Sequence, residues 1–171
     1  LSLTNTDPIK TKFFPKFDWP RITNPHLSFP LNDNILANVK EEEKKAINEI
    51  KEALKNNPND IAGLIIEPIQ GEGGDHHFRG DFFKQLKELS LEHNFLLIYD
   101  EVQTGIGITG KMWAHEHFSV KPDIISFGKK TQVCGMMASD RIYNFENNVF
   151  KESSRINSTF GGNLVDMYRF K

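Results

Sequence analysis

Cysteine is almost absent: Cys134 is the only one in 171 residues, so no internal disulfide can form and a stapled scaffold is excluded. No charged n-region followed by an apolar h-region opens the chain, and a reducing, cytoplasmic compartment is the expectation. No apolar run approaches the length of a membrane span. An excess of one charge sign is lacking too. Against 23 acidic side chains stand 21 basic ones, and a net charge of -2 gives no reason to expect nucleic acid or an anionic membrane as partner. A small-molecule partner is the expectation. What the chain does have is apolar and aromatic material: 38% hydrophobic residues, with 14 Phe, 3 Tyr and 2 Trp, enough for one domain with a packed core.

Residues 1–34 are punctuated by Pro8, Pro15, Pro20, Pro25 and Pro30, with Phe13, Phe14, Phe17, Trp19 and Phe29 between them, a pattern that fits neither the helical nor the strand period. This segment is expected to be irregular chain packed on the domain formed by residues 35–171. Its length without structure of its own carries the further expectation that Leu1 is not a natural beginning. From Val39 to Lys55, Ile47, Ile50 and Leu54 share a helical face with Ala46 and Ala53, and EEEKK is read as the solvated side. Asn56, Asn57 and Pro58 stop that helix, and IAGLIIEP reads as a buried strand. A glycine loop at Gly71, Gly73 and Gly74 precedes a second helix, FFKQLKELSLEHN, for which Asp81 is the expected cap. FLLIYDE and DIISFG follow as short apolar strands.

This alternation predicts an α/β fold, a mainly parallel sheet flanked by helices. Parallel strands place ligands at their carboxyl ends. Glu67 closes the first strand, Asp100 closes the second and Lys129 follows the third, so two carboxylates and an amine are expected on one sheet edge. A lysine entering a turn there is expected to be partly desolvated and available for a Schiff base. Asp100, at the end of a buried strand, needs a cationic partner. A protonated pyridine nitrogen is one, and an aspartate facing it, with a lysine on the aldehyde, is the working pair of pyridoxal phosphate enzymes.

Other patterns point elsewhere and are weaker. GIGITGK has the spacing of a phosphate loop, but Met112 stands where magnesium needs a hydroxyl, and the acidic strand comes immediately before the loop. Asp75, His76 and His77, with His115, Glu116 and His117, lack the spacing of a metal site and are read as solvated loop residues. Cys134, in the apolar run VCGMMA, is read as core.

EPIQGEGG, YDEVQTGIGITG, PDIISFGK and NSTFGGN, taken in this order, resemble the class III, fold-type I pyridoxal-phosphate aminotransferases over nearly the whole chain. Many members carry Arg where Ile108 stands here. GKKTQVCG, LSLTNT, FPKFDWPRI and GEGGDHHFR are similar to the L-lysine 6-aminotransferase branch of that family. The resemblance implies that Lys129 holds the pyridoxal 5'-phosphate and shuttles a proton, with Lys130 a bystander. It implies that Asp100 keeps the pyridine nitrogen protonated, Val102 packs on the ring and Gln103 bonds the phenolic oxygen and meets substrate. It further assigns Thr159 to the partner subunit's cofactor phosphate in a homodimer, puts Asn157 near substrate, makes Glu72 a gate between the two substrates and sets Glu67 behind the site.

The implied reaction transfers the 6-amino group of L-lysine to 2-oxoglutarate. The alternatives are a related aminotransferase acting on ornithine, acetylornithine or 4-aminobutyrate, or an inactive piece of such an enzyme. The family's phosphate-binding loop and carboxylate-gripping arginine find no match here, so the chain is expected to be the middle of a longer enzyme, inactive alone.

Overall fold

The computed structural model describes Leu3, residues 8–156 and residues 158–171. Its elements in order are α1 (Pro8–Thr11), α2 (Asp33–Asn56), β1 (Gly63–Ile66), β2 (Ile69–Gln70), β3 (His76–His77), α3 (Gly80–Glu92), β4 (Leu96–Asp100), β5 (Ile124–Phe127), β6 (Gly135–Ala138) and α4 (Leu164–Phe170). Three short 3-10 turns, at Ala114–His117, Lys129–Thr131 and Asp140–Asn144, lie between the later elements.

α2 begins earlier than its apolar period indicates, because Asn32 caps it by accepting from the Ile35 amide at 2.9 Å. It ends where Asn57 turns both its backbone N–H and its side-chain amide onto the Ala53 carbonyl. The EEEKK stretch is not uniformly solvated. Glu43 is buried and meets Arg79 at 3.3 Å, since its place on α2 faces the start of α3. α3 is not capped by Asp81: Arg79 is the N-cap residue and Asp81 lies in the first turn, bonded to Arg79 and Lys84. Phe82, Phe83, Leu86, Leu89 and Ser90 are all buried, a wider stripe than one helical row provides.

β1, β4 and β5 are parallel, and β6 runs antiparallel beside β5, giving the order β1-β4-β5-β6. Leu97 and Tyr99 of β4 point into the core against Phe82, Phe83 and Leu86, with Ala46 and Ile50 of α2 behind them. Phe83 meets Tyr99 edge-on, with ring centroids 5.4 Å apart. On the opposite sheet face Ile98, Ile124 and Ser126 are half-buried. β1 was expected to be buried, yet Gly63 and Ile65 are exposed: β1 is an edge strand, and the Ile65 row faces away from both helices. Cys134 is exposed as well, because the reversal into β6 carries it off the core.

Residues 12–32 contain only one bridge, Leu27 with His77, and are tied down by Thr23, which donates its amide and hydroxyl to Glu49. His76 is not a solvated loop residue. It lies on β3, stacks on His26 with centroids 4.0 Å apart and bonds Gln70. No described helix is long and apolar enough to cross a membrane.

Candidate active site

Register fixes the site. Ile66 pairs with Tyr99, and Asp100 pairs with Ser126, so the carboxyl ends of β1, β4 and β5 finish level with one another. Glu67, Asp100 and Lys129 therefore meet at that edge, close enough for Asp100 and Lys129 both to act on the Glu67 carboxyl. Burial pushes the Glu67 pKa up. The Gly71 N–H bonded to its Oε2 at 3.1 Å works the other way, the Asp100 charge adds to the rise, and the Lys129 ammonium opposes it.

Asp100 is half-buried. Its Oδ1 accepts the Val102 amide at 3.0 Å, and among the described residues no protein donor reaches its Oδ2. Gln103 lies beside it, with Oε1 accepting from Lys129 Nζ at 2.6 Å. The Gln103 carbonyl accepts from Lys130 Nζ at 2.5 Å, so both lysines contact one residue. Lys129 is exposed in this chain, contrary to the desolvation expected from its strand. Its backbone has φ +53°, in the left-handed region that costs a non-glycine residue energy and clusters at functional positions. A Cβ on Gly71 would come within 3.0 Å of Gln103 Cγ, so the glycine loop leaves room for this side chain.

Glu72, on that loop, is exposed and ion-paired with Lys10 of α1. Val102 is half-buried. Thr159 lies in an exposed turn without a hydrogen bond to the sheet-edge cluster among the described residues. Asn157 falls outside the described residues.

The phosphate-loop spacing at Gly105–Lys111 does not form a cradle. The amides of Ile106 and Gly107 both donate to the Met112 carbonyl, and that of Gly110 donates to Gly107, so the N–H groups an anion needs are already engaged. Among the described residues no group of three or more His, Cys, Asp or Glu could hold a metal ion.

One residue at the site escaped the sequence reading. The Glu101 side chain is fully buried and accepts four hydrogen bonds. Burial alone would raise its pKa, but the bonds from the His115 ring and amide, the Ala114 amide and the Thr104 hydroxyl outweigh it and hold the carboxyl below its usual range. The signal available in sequence was a second acid at the end of an apolar strand.

Comparison with known proteins identifies the family. The chain is 53% identical over 169 residues, 99% of its length, to an L-lysine-epsilon aminotransferase of Mycobacterium tuberculosis, and 51% identical over the same length to one of Amycolatopsis lactamdurans. It spans 37% of the length of each of these relatives. A solved structure described as lysine aminotransferase from M. tuberculosis in the internal aldimine form superposes with a TM-score of 0.91 at 51% identity, over 99% of this chain and 38% of that one. A family model, aminotransferase class-III, matches residues 1–170, and with it the four motifs, the level strand ends and the lysine turn fall into one frame: this chain belongs to the class III aminotransferases.

Proposed function

We propose that the protein to which this site belongs is a pyridoxal-phosphate-dependent aminotransferase. It moves the 6-amino group of L-lysine to 2-oxoglutarate and yields 2-aminoadipate 6-semialdehyde and glutamate. The observation that carries this reading is the meeting of Lys129, Gln103 and Asp100 on one sheet edge, in a chain 53% identical to a protein named for that amino donor.

The donor set fits the cofactor. An exposed primary amine suits an aldehyde, and a carboxylate with one oxygen unclaimed among the described residues suits a protonated ring nitrogen. Pyridoxal phosphate supplies an electron sink for the carbon that loses its proton. Asp100 holds the ring nitrogen's proton, and its own geometry is set by the Val102 amide. Gln103 keeps Lys129 Nζ pointed at the site, where it would meet the cofactor's aldehyde. With the cofactor in place, Lys129 Nζ would be the base that takes the proton from the substrate carbon bearing the transferred amine, the ordinary work of a positioned base.

Val102 offers an apolar surface for the ring. Thr159 is assigned to the cofactor phosphate of the partner subunit in a homodimer, a role its exposed position permits, and Asn157 is assigned to substrate.

The test is spectroscopic. Lys129→Ala abolishes the visible absorbance of bound cofactor and turnover with lysine, while Lys130→Ala retains the absorbance. A Lys130→Ala protein that loses the colour while Lys129→Ala keeps it would reject the assignment. A donor panel of lysine, ornithine and 4-aminobutyrate then reads the substrate, with lysine expected to give the highest kcat/KM.

A further inference from the structure

Glu101 is a buried anion directly beside the sheet-edge cluster, and no step of the reaction proposed above uses it. Three of its four donors come from Ala114 and His115, at the far end of the loop that starts at the cluster, and the fourth is Thr104, near its start. Oε2 accepts from the Ala114 amide at 2.6 Å and Thr104 Oγ1 at 3.1 Å; Oε1 accepts from the His115 amide at 3.0 Å and His115 Nδ1 at 2.9 Å. Its backbone is fixed as firmly. The Glu101 amide donates to Ser126 of β5, and its carbonyl accepts from Gly105 at 2.8 Å. Gly105 admits no larger residue, since a Cβ there would lie 2.6 Å from the Trp113 ring and 2.9 Å from the Glu101 carbonyl.

Gln103 is thus held from two sides, by Glu101 and its loop behind and by Lys129 and Lys130 in front. We propose that Glu101 is a positioning residue: its carboxylate draws the 104–115 loop onto the end of β4 and thereby sets where Gln103 meets Lys129 and Asp100 faces the cofactor. The role of Gln103 and Asp100 in that statement rests on the function proposed above; the pinning of the loop does not.

The chemistry makes the site intolerant of near-isosteres. In Glu101→Gln one oxygen becomes an NH2 group, which then faces a backbone N–H at either the Ala114 or the His115 position. The His115 ring and the Thr104 hydroxyl can adjust, but backbone amides cannot, so one buried donor is orphaned. Thr104→Val is the milder variant, removing one donor of similar shape a single residue beyond Gln103.

Asp123 provides the control. It is equally buried, accepts from Lys87, Arg141 and the Leu97 amide, and stands at the amino end of β5, the opposite end of the sheet.

The experiment compares Glu101→Gln, Thr104→Val and Asp123→Asn in the full-length protein to which this chain belongs. In the cofactor-free protein, amide hydrogen exchange over residues 102–105 is expected to accelerate about tenfold in Thr104→Val and more in Glu101→Gln, the scale of one lost buried hydrogen bond. Asp123→Asn is expected to lower the melting temperature without that local change. With pyridoxal phosphate added, the first two variants should weaken cofactor binding about tenfold and move the pH midpoint of its visible band, and Asp123→Asn should move neither.

Unchanged exchange over 102–105 in both Glu101→Gln and Thr104→Val overturns the proposal, as does an equal change in Asp123→Asn. A wild-type protein that binds no pyridoxal phosphate overturns the proposed function instead, and the exchange measurement still decides the role of Glu101.

Discussion

Glu72 differs from every other acid of the site in being exposed on a glycine loop, where its partner is Lys10 of α1. Exposed ion pairs contribute little, so Glu72 can leave Lys10 at small cost. That mobility suits a gate. Lysine has no carboxylate where 2-oxoglutarate presents its second one, and a cation that grips that carboxylate needs a substitute anion when lysine is bound. Glu72→Ala is therefore expected to slow the lysine half-reaction roughly tenfold more than the 2-oxoglutarate half-reaction, the worth of one charge-assisted contact. Stopped-flow measurement of both half-reactions decides it, and equal effects would leave Glu72 an ordinary surface acid.

What the sequence made legible was the placement of the strand ends at one edge. Glu67, Asp100 and Lys129 each follow a short apolar run, and a parallel sheet brings such ends level. Glu101 was illegible because its burial depends on Ala114 and His115 folding back over it, and no local pattern encodes that return. The Lys130 contact was illegible for the same reason, since it reaches a backbone carbonyl 27 residues away.

Among the elements, α2 shows the limit of helical periodicity most clearly. Its apolar stripe placed Ala46 and Ile50 inside, as found, but the neighbouring Glu43 is buried too because Arg79 precedes α3. Burial pushes the Glu43 pKa up, only partly offset by Arg79, and its Oε1 is buried without a hydrogen-bond partner. A carboxyl whose pKa is raised on folding contributes stability in its protonated form, and that contribution is lost as pH rises through the folded value.

Glu43→Gln should consequently match the wild type below the ordinary glutamate pKa of 4.5 and become the more stable protein as pH climbs above it. Arg79 keeps its 2.6 Å contact with Asp81 in the variant. Thermal melts from pH 4 to 8 test this, and a variant less stable than wild type at pH 7 would show that the Arg79 pair outweighs the burial cost. β6 teaches a related lesson. VCGMMA has the composition of core, but it pairs antiparallel at the sheet margin, so composition mistook a strand's pairing for its burial.

At the scale of the whole molecule, α2 and α3 pack on the sheet face that bears Leu97 and Tyr99, and Asp100 and Ser126 share the other face. Strand order also has a kinetic side. β5 and β6 are joined by the short turn that carries Lys129, whereas β1 reaches β4 only after β2, β3 and α3 have been threaded between them. Each doubling of a closed loop adds about 0.6 kcal/mol of entropic cost, and non-local pairings form later for that reason. The hairpin should therefore assemble first, so that the lysine turn exists before the carboxylate opposite it is in place. Pulsed hydrogen exchange during refolding should find β6 amides protected ahead of those in β1; protection in the reverse order would mean that the α3 crossover, and not the hairpin, nucleates the sheet.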